Sequence, residues 1–439
     1  MRIYRLLIIS LAVLSACKPS PVEEKPSPGG DSASGKLPVF YEANPKVFSS
    51  GGSIAAIKGR LGAIQALGTD ILWLMPIQEF GKEKSVGSPY CIRDYNSVNS
   101  SYGTISDVKA LVADAHGRGM KVILDWVANH TSWDNAWITD HPDWYTRENG
   151  VIISPKGMGW NDVADLDYSS TAMRSAMTDA MLYWVREAGV DGFRCDYADG
   201  VPHDFWKNAI SAVRKVDSDA VFLAESSDKS FFQDGFDYVY GWPFKTALKK
   251  LFDGGEVADF VSSVTAEAAS LPSGKHIMRF ITNHDQASEN SPVSEYRSAD
   301  GALAAQVISA FSGESSLIYS SQEIAYGRAL SFFSVNVMDW NSNPSFTSRL
   351  QKVMEAYTST SSIRSGSPKF YTIGKLVAMY YANGSRGLLV VVNPTGSEVT
   401  AKTPMERTGD KMKELVSGVT GPLPASLSLK AYEYLIYEK

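Results

Sequence analysis

Arg194 stands two residues before Asp196 in the stretch DGFRCDYADG, residues 191–200, at the end of a short apolar run. Successive side chains of an extended strand point to opposite sides, so Arg194 and Asp196 share one face while Cys195 takes the other. A guanidinium on that face holds the aspartate ionised and lowers its pKa, and an ionised carboxylate is a nucleophile. Three more acidic residues close apolar runs in the same way: Asp125 ends KVILD, Glu225 ends AVFLAE and Asp285 ends HIMRFITNHD. A second carboxyl group, kept protonated by a crowded negative site, can protonate a leaving oxygen. Such a pair is the equipment of a retaining glycoside hydrolase. His130 and His284 stand beside these runs and are candidates to bind sugar hydroxyls, whereas His116, His141, His203 and His276 are expected to be structural.

Carboxylates so far apart in sequence meet only if the strand ends that carry them converge, as they do at one mouth of a parallel (β/α)8 barrel. The chain has the rhythm for it. Strands are expected at PVFYEA (38–43), DILWLMPI (70–77), KVILDW (121–126), VDGFRCD (190–196), AVFLAE (220–225), FDYVY (236–240), HIMRFITNHD (276–285) and SSLIYS (315–320). Between them lie segments of helical spacing, such as SIAAIKGRLGAIQALG, DVKALVADAHGRG with its glycine stop, and MTDAMLYWVREAG. The fold class expected is therefore α/β, a TIM barrel over residues 37–366. A segment rich in Pro, Trp, Gly and Asp, 131–168, is too long for a plain connection and reads as an inserted subdomain after the third strand. From residue 367 to 439 the texture changes to short strands with an Asn-Gly turn in KLVAMYYANGSRGLLVVVNP, which predicts a C-terminal antiparallel β-sandwich.

Composition narrows the partners. The 439 residues carry 42 basic and 48 acidic side chains, a net charge of -6, with no Lys/Arg cluster, which speaks against nucleic acid. The start, MRIYRLLIISLAVLSAC, has a basic end and an apolar run too short to span a bilayer but right for a signal segment. Its last residues, LSAC, resemble a bacterial lipobox. That resemblance makes residues 1–17 a lipoprotein signal, Cys17 the lipidated residue, and the Pro/Ser/Gly-rich 18–36 a flexible tether to a membrane. An exported, membrane-anchored protein is expected, in the periplasm or on the cell surface. Cys91 and Cys195 are too few for a disulfide framework.

Four segments, DWVANH (125–130), GFRCDYADG (192–200), FLAES (222–226) and FITNHD (280–285), resemble in order and spacing the signature regions of the α-amylase family of glycoside hydrolases. VADLD (163–167) looks like its fifth region, GSPYCIRDYNSVNSSYGT like the segment after the second strand, and IYSSQEIA like the one after the eighth. The resemblance implies that Asp196 is the nucleophile, Glu225 the general acid/base and Asp285 the carboxylate that stabilises the transition state. It implies that Arg194 orients the nucleophile, that Tyr90 stacks on the transferred sugar, and that Asp125, His130 and His284 belong to the same subsite. An α-glucan or maltooligosaccharide is the substrate it implies, with a glucanotransferase using the same covalent intermediate, or a non-catalytic glycan-binding protein, as alternatives. The family chemistry needs no cofactor, and a structural calcium would fall to Asn129 and Asp165. Two departures bear on that calcium: Asp199-Gly200 stands where many α-amylases carry Lys-His, and YEANPKVFSSGGS lacks an Asp-rich loop.

Overall fold

All eight expected apolar runs form parallel strands that close into one barrel in chain order: β1 Val39–Ala43, β2 Ile71–Leu74, β3 Lys121–Trp126, β4 Gly192–Cys195, β5 Val221–Ala224, β6 Tyr238–Tyr240, β7 His276–Arg279 and β8 Ser315–Tyr319. β8 returns to β1 with Phe40 opposite Leu317, which closes the ring. The computed structural model describes residues 37–364 and 366–439. The expected signal segment, tether and Cys17 lie outside the described residues, and among these no helix is long and apolar enough to cross a membrane.

Both faces of a barrel strand are covered, so its sequence is apolar throughout and the period of two sorts inner from outer residues. Phe40, Ile71, Trp73, Ile123, Leu223, Tyr240, Met278 and Leu317 pack inside the barrel. Their neighbours Tyr41, Leu72, Leu124, Phe193 and Phe222 face outward into the layer under the helices. Glycine is required at Gly192: φ is 141° there, and a Cβ would lie 1.9 Å from the Val221 carbonyl oxygen of the next strand.

Helices cover the outside: α1 Ile105–Gly117, α2 Thr171–Ala188, α3 His203–Arg214, α4 Trp242–Phe252, α5 Val257–Ala268, α6 Ala299–Phe311 and α7 Pro344–Ser359. Thr104 and Asp107 form a reciprocal capping box at the start of α1, and Gly189, left-handed at φ 69°, ends α2. The segment SIAAIKGRLGAIQALG is two short helices, Ser53–Gly59 and Leu61–Gln65, that meet at Arg60. Ile54, Ile57, Leu61 and Ile64 are all buried, so the helical spacing survives the break.

HIMRFITNHD is not one strand. β7 stops at Arg279, and Asn283 caps a short helix, His284–Glu289, by accepting from the Gln286 backbone N–H at 3.0 Å. Asp285 therefore sits in a helical first turn beyond the strand, not at its end. Phe280 and Ile281 are fully buried, which is why the apolar run outlasts the strand.

After β2 an antiparallel pair, Gln78–Phe80 with Ile92–Val98, carries the chain over the barrel mouth. After β3, His130–Ser132 pairs with Val163–Asp165, and Arg147–Glu148 with Val151–Ile152, within the expected insert. The C-terminal region is a six-stranded antiparallel sheet with a smaller pair, Val399–Lys402 and Ser426–Leu429, over one face. The Asn-Gly turn holds: Asn383 pairs with Arg386 and Gly384 has φ 60°. The other face, through Val377, Met379, Leu388, Val390 and Ile436, joins the apolar core that also contains α6. Tyr381 Oη donates to the Phe311 carbonyl at 2.9 Å across this junction.

Candidate active site

On β1, β3, β4 and β5 the inward parity continues upward to the mouth, where the inward residues become polar: Glu42 after Phe40, Asp125 after Ile123, Arg194 after Gly192, and Asp196 and Glu225 just past β4 and β5. Period two thus puts the chemistry in one layer. Arg194, fully buried, is its centre. Nη1 donates to Asp125 Oδ1 at 2.7 Å and to Asp196 Oδ1 at 2.9 Å, Nε donates to the Tyr240 hydroxyl at 3.1 Å, and Nη2 lies 2.9 Å from Glu225 Oε1. Trp73, Tyr90 and Tyr240 surround the guanidinium, with ring centroids 5.0, 5.8 and 5.7 Å from it.

The pairing of Arg194 with Asp196 is as the strand period requires, but its electrostatic consequence differs from expectation. Burial pushes the Asp196 carboxyl up to about 6; Arg194 opposes this, and the Asp125 charge adds to the rise. One guanidinium shared among three carboxylates does not offset desolvation. Burial likewise raises Glu225 to about 7, against Arg194 and with help from Asp196 and Asp285. The two carboxyl groups thus titrate as one coupled pair, both held above the usual carboxylate range by burial. Glu225 Oε2 accepts from the Tyr197 backbone N–H at 2.6 Å, and Tyr197 itself is left-handed at φ 39°. A non-glycine residue held there marks a strained turn at the site.

Asp125 and Arg194 lie beneath the cavity floor. Asp125 is fully buried, and its second oxygen accepts from Trp73 Nε1 at 3.1 Å and the Tyr90 hydroxyl at 3.0 Å. Neither residue lines the cavity: Arg194 holds Asp196, as expected of it, and Asp125 holds Arg194, Trp73 and Tyr90 in place beneath the expected sugar subsite. Tyr90, His130, Asp196, Glu225, His284 and Asp285 do line it, in a space of about 880 Å³. Burial lowers His130 to about 4, so its ring is neutral near pH 7.

His284 is instead held charged, by Asp285 and by Glu42, a residue that no motif in the sequence marks. Glu42 is fully buried at the top of β1, with Oε1 2.5 Å from His284 Nδ1. His284 Nε2 is 2.8 Å from the Tyr90 hydroxyl and 3.3 Å from Asp285 Oδ1. Burial alone would lower His284; Asp285 and Glu42 outweigh it and bring the ring up to about 9. The inward parity of VFYEA, with Phe40 inside, was the signal for Glu42. Trp160, Tyr197, Trp242 and Phe332 also line the cavity, and no spacing in the sequence marks them.

Asn129 and Asp165 sit close together, since His130 and Asp165 are paired across the small hairpin. The Asn129 amide lies 3.2 Å from His130 Nδ1, and its Oδ1 is turned against Gly200. Calcium takes six to eight oxygens, several of them carboxylate. Asn129 and Asp165 bring one amide oxygen and one carboxylate to this place, and among the described residues no three His, Cys, Asp or Glu side chains gather as a metal site.

A parallel eight-stranded barrel with paired carboxyl groups at its mouth defines a glycoside hydrolase-like class of protein. The chain belongs to the α-amylase family: the profile for the α-amylase catalytic domain matches residues 31–150 and 158–362. It is similar to α-amylase MalA of Haloarcula japonica, 27% identical over 262 residues that make up 56% of this chain and 39% of that protein. Trehalose-6-phosphate hydrolase of Bacillus subtilis is 31% identical over 206 residues, 38% of this chain and 36% of that protein. The matches span less than half the length of these curated relatives. Among solved structures, an α-amylase from Lactobacillus plantarum superposes with a TM-score of 0.83 at 27% identity, covering 92% of this chain and 99% of that one.

Proposed function

We propose that the chain is a retaining α-glycoside hydrolase of starch-type glucans or maltooligosaccharides. The observation that carries this reading is the seating of Asp196 and Glu225 on one guanidinium at the floor of a cavity walled by aromatic rings. Glu225 gives its proton to the glycosidic oxygen as the C–O bond breaks, while Asp196 forms a bond to the anomeric carbon. The Tyr197 N–H then stabilises the Glu225 carboxylate. Water enters, loses a proton to Glu225 and displaces Asp196, which releases a product of retained configuration. Asp285 and charged His284 hold hydroxyls of the transferred ring, neutral His130 accepts from or donates to another, and Tyr90 covers its face. These steps use no metal or other cofactor.

Asp196→Asn tests the assignment, with an expected loss of turnover on the order of 10^4-fold in a folded protein. Undiminished release of reducing ends from starch by that variant would overturn it. The same reading takes residues 1–17 as a lipoprotein signal and 18–36 as a tether, placing the enzyme outside the cytoplasm on a membrane through Cys17. Cys17→Ala should move the protein from the membrane to the soluble fraction; unchanged fractionation would remove the anchor from the proposal.

A further inference from the structure

The cavity wall does not end at the acid. Glu225 is followed by Ser226 and Ser227, and Ser227 lines the cavity together with Trp242 at the start of α4. Ser227 and Trp242 also line a second open cavity, about 590 Å³, in the valley between α4 and α5. Its remaining walls follow helical spacing: Thr246, Ala247 and Lys250 on α4 face Glu256, Asp259 and Phe260 at the start of α5. The valley has an apolar floor in Ala247, Leu251 and Phe260, and a rim of hydroxyl, carboxylate and ammonium groups. Lys250 Nζ and Asp259 Oδ2, 3.1 Å apart, tie the two helices across it.

Trp242 is fixed as the sill between the two spaces. Its ring packs edge-on against Phe280 at 5.0 Å and tilted against Tyr240 at 5.9 Å, and Ser227 Oγ donates to the Tyr240 carbonyl at 2.8 Å. A rigid, half-exposed indole flanked by a serine, leading to an apolar floor with polar edges, matches the two-sided chemistry of a pyranose: apolar ring faces and hydroxyl edges. Direction follows from the acid. Ser226 and Ser227 directly succeed Glu225, the residue that protonates the departing oxygen, so the wall they form with Trp242 begins at the group that meets the leaving sugar.

We propose that the valley between α4 and α5 binds the leaving-group arm of a long α-glucan, making chain length beyond the cleaved bond a determinant of specificity. This rests on the hydrolase reading above. An arm that reaches the valley gains binding remote from the reacting atoms, while a short oligosaccharide that ends before Trp242 does not.

The test compares maltotriose with maltoheptaose. Thr246 is exposed on the valley wall, and Thr246→Trp fills the valley without touching the barrel core. Its kcat/KM on maltoheptaose should fall about tenfold more than on maltotriose, through KM. Binding of maltoheptaose to Asp196→Asn, measured by calorimetry, should be tighter than that of maltotriose, and the difference should vanish in Asp196→Asn/Thr246→Trp. An equal loss on both substrates, or a length preference that persists in the filled variant, overturns the valley as a subsite while leaving the hydrolase reading intact. Failure of the wild type to cleave either oligosaccharide would instead remove that reading.

Discussion

At Arg194 one cation serves three carboxylates, and desolvation outweighs it for Asp196 and Glu225, which rise to about 6 and about 7. The glycosylation step needs Asp196 ionised and Glu225 protonated. The pair titrates together, so kcat/KM should follow a bell whose limbs belong to the pair, with its acid limb above the usual carboxylate range. A pH profile on a soluble maltooligosaccharide checks this. The same burial has a sign for stability. A carboxyl whose folded pKa exceeds its unfolded value of about 4 binds protons more tightly when folded, so stability falls as pH rises through the folded pKa. Asp196→Asn removes that cost and should leave Tm at pH 7 at or above the wild-type value while turnover is lost; thermal scans measure it. His284 runs the other way. Its raised pKa contributes stability that is fully present below about 6.5 and is lost as pH rises through about 9. Glu42→Gln removes one of the two charges responsible, so the His284 titration, followed by NMR of the imidazole, should move down by about one unit or more.

At the level of the element, the strand period was legible because each barrel strand is covered on both faces and contains few polar residues to obscure its ends. The same period placed Arg194 and Asp196 together. What it did not place is Asp285: Phe280 and Ile281 stay buried after β7 ends, so the apolar run misreports its length, and the Asn283 cap was the overlooked stop. Glu42 was legible by the same parity as Asp196 but lies on a strand without a basic neighbour to draw attention. The aromatic walls, Trp160 and Phe332 among them, come from loops whose paths no periodicity fixes. The β4–β5 pairing also depends on one backbone position. Gly192→Ala puts a methyl carbon 1.9 Å from the Val221 carbonyl at a φ of 141°, so the strand that carries Arg194 must shift. A loss on the order of 3 kcal/mol in urea unfolding is expected, with activity falling in parallel.

For the molecule as a whole, the inward face of the C-terminal sheet and the helices of the barrel share one apolar core, joined by Tyr381 to the end of α6 and by Phe252 and Tyr432, whose rings stack at 6.3 Å. Barrel and sheet should therefore unfold in one transition, seen as coincident changes in tryptophan fluorescence and far-ultraviolet circular dichroism. Separate transitions would show two independent units. Cys195 offers a third view of the same event. It is buried on the outward face of β4, directly behind the strand that carries Arg194, with its thiol pushed up by burial, while Cys91 is buried near the mouth and pushed up to about 12. An alkylating reagent finds neither sulfur in the native state, so the speed at which Cys195 is tagged is a clock for how often the wall behind the nucleophile comes apart.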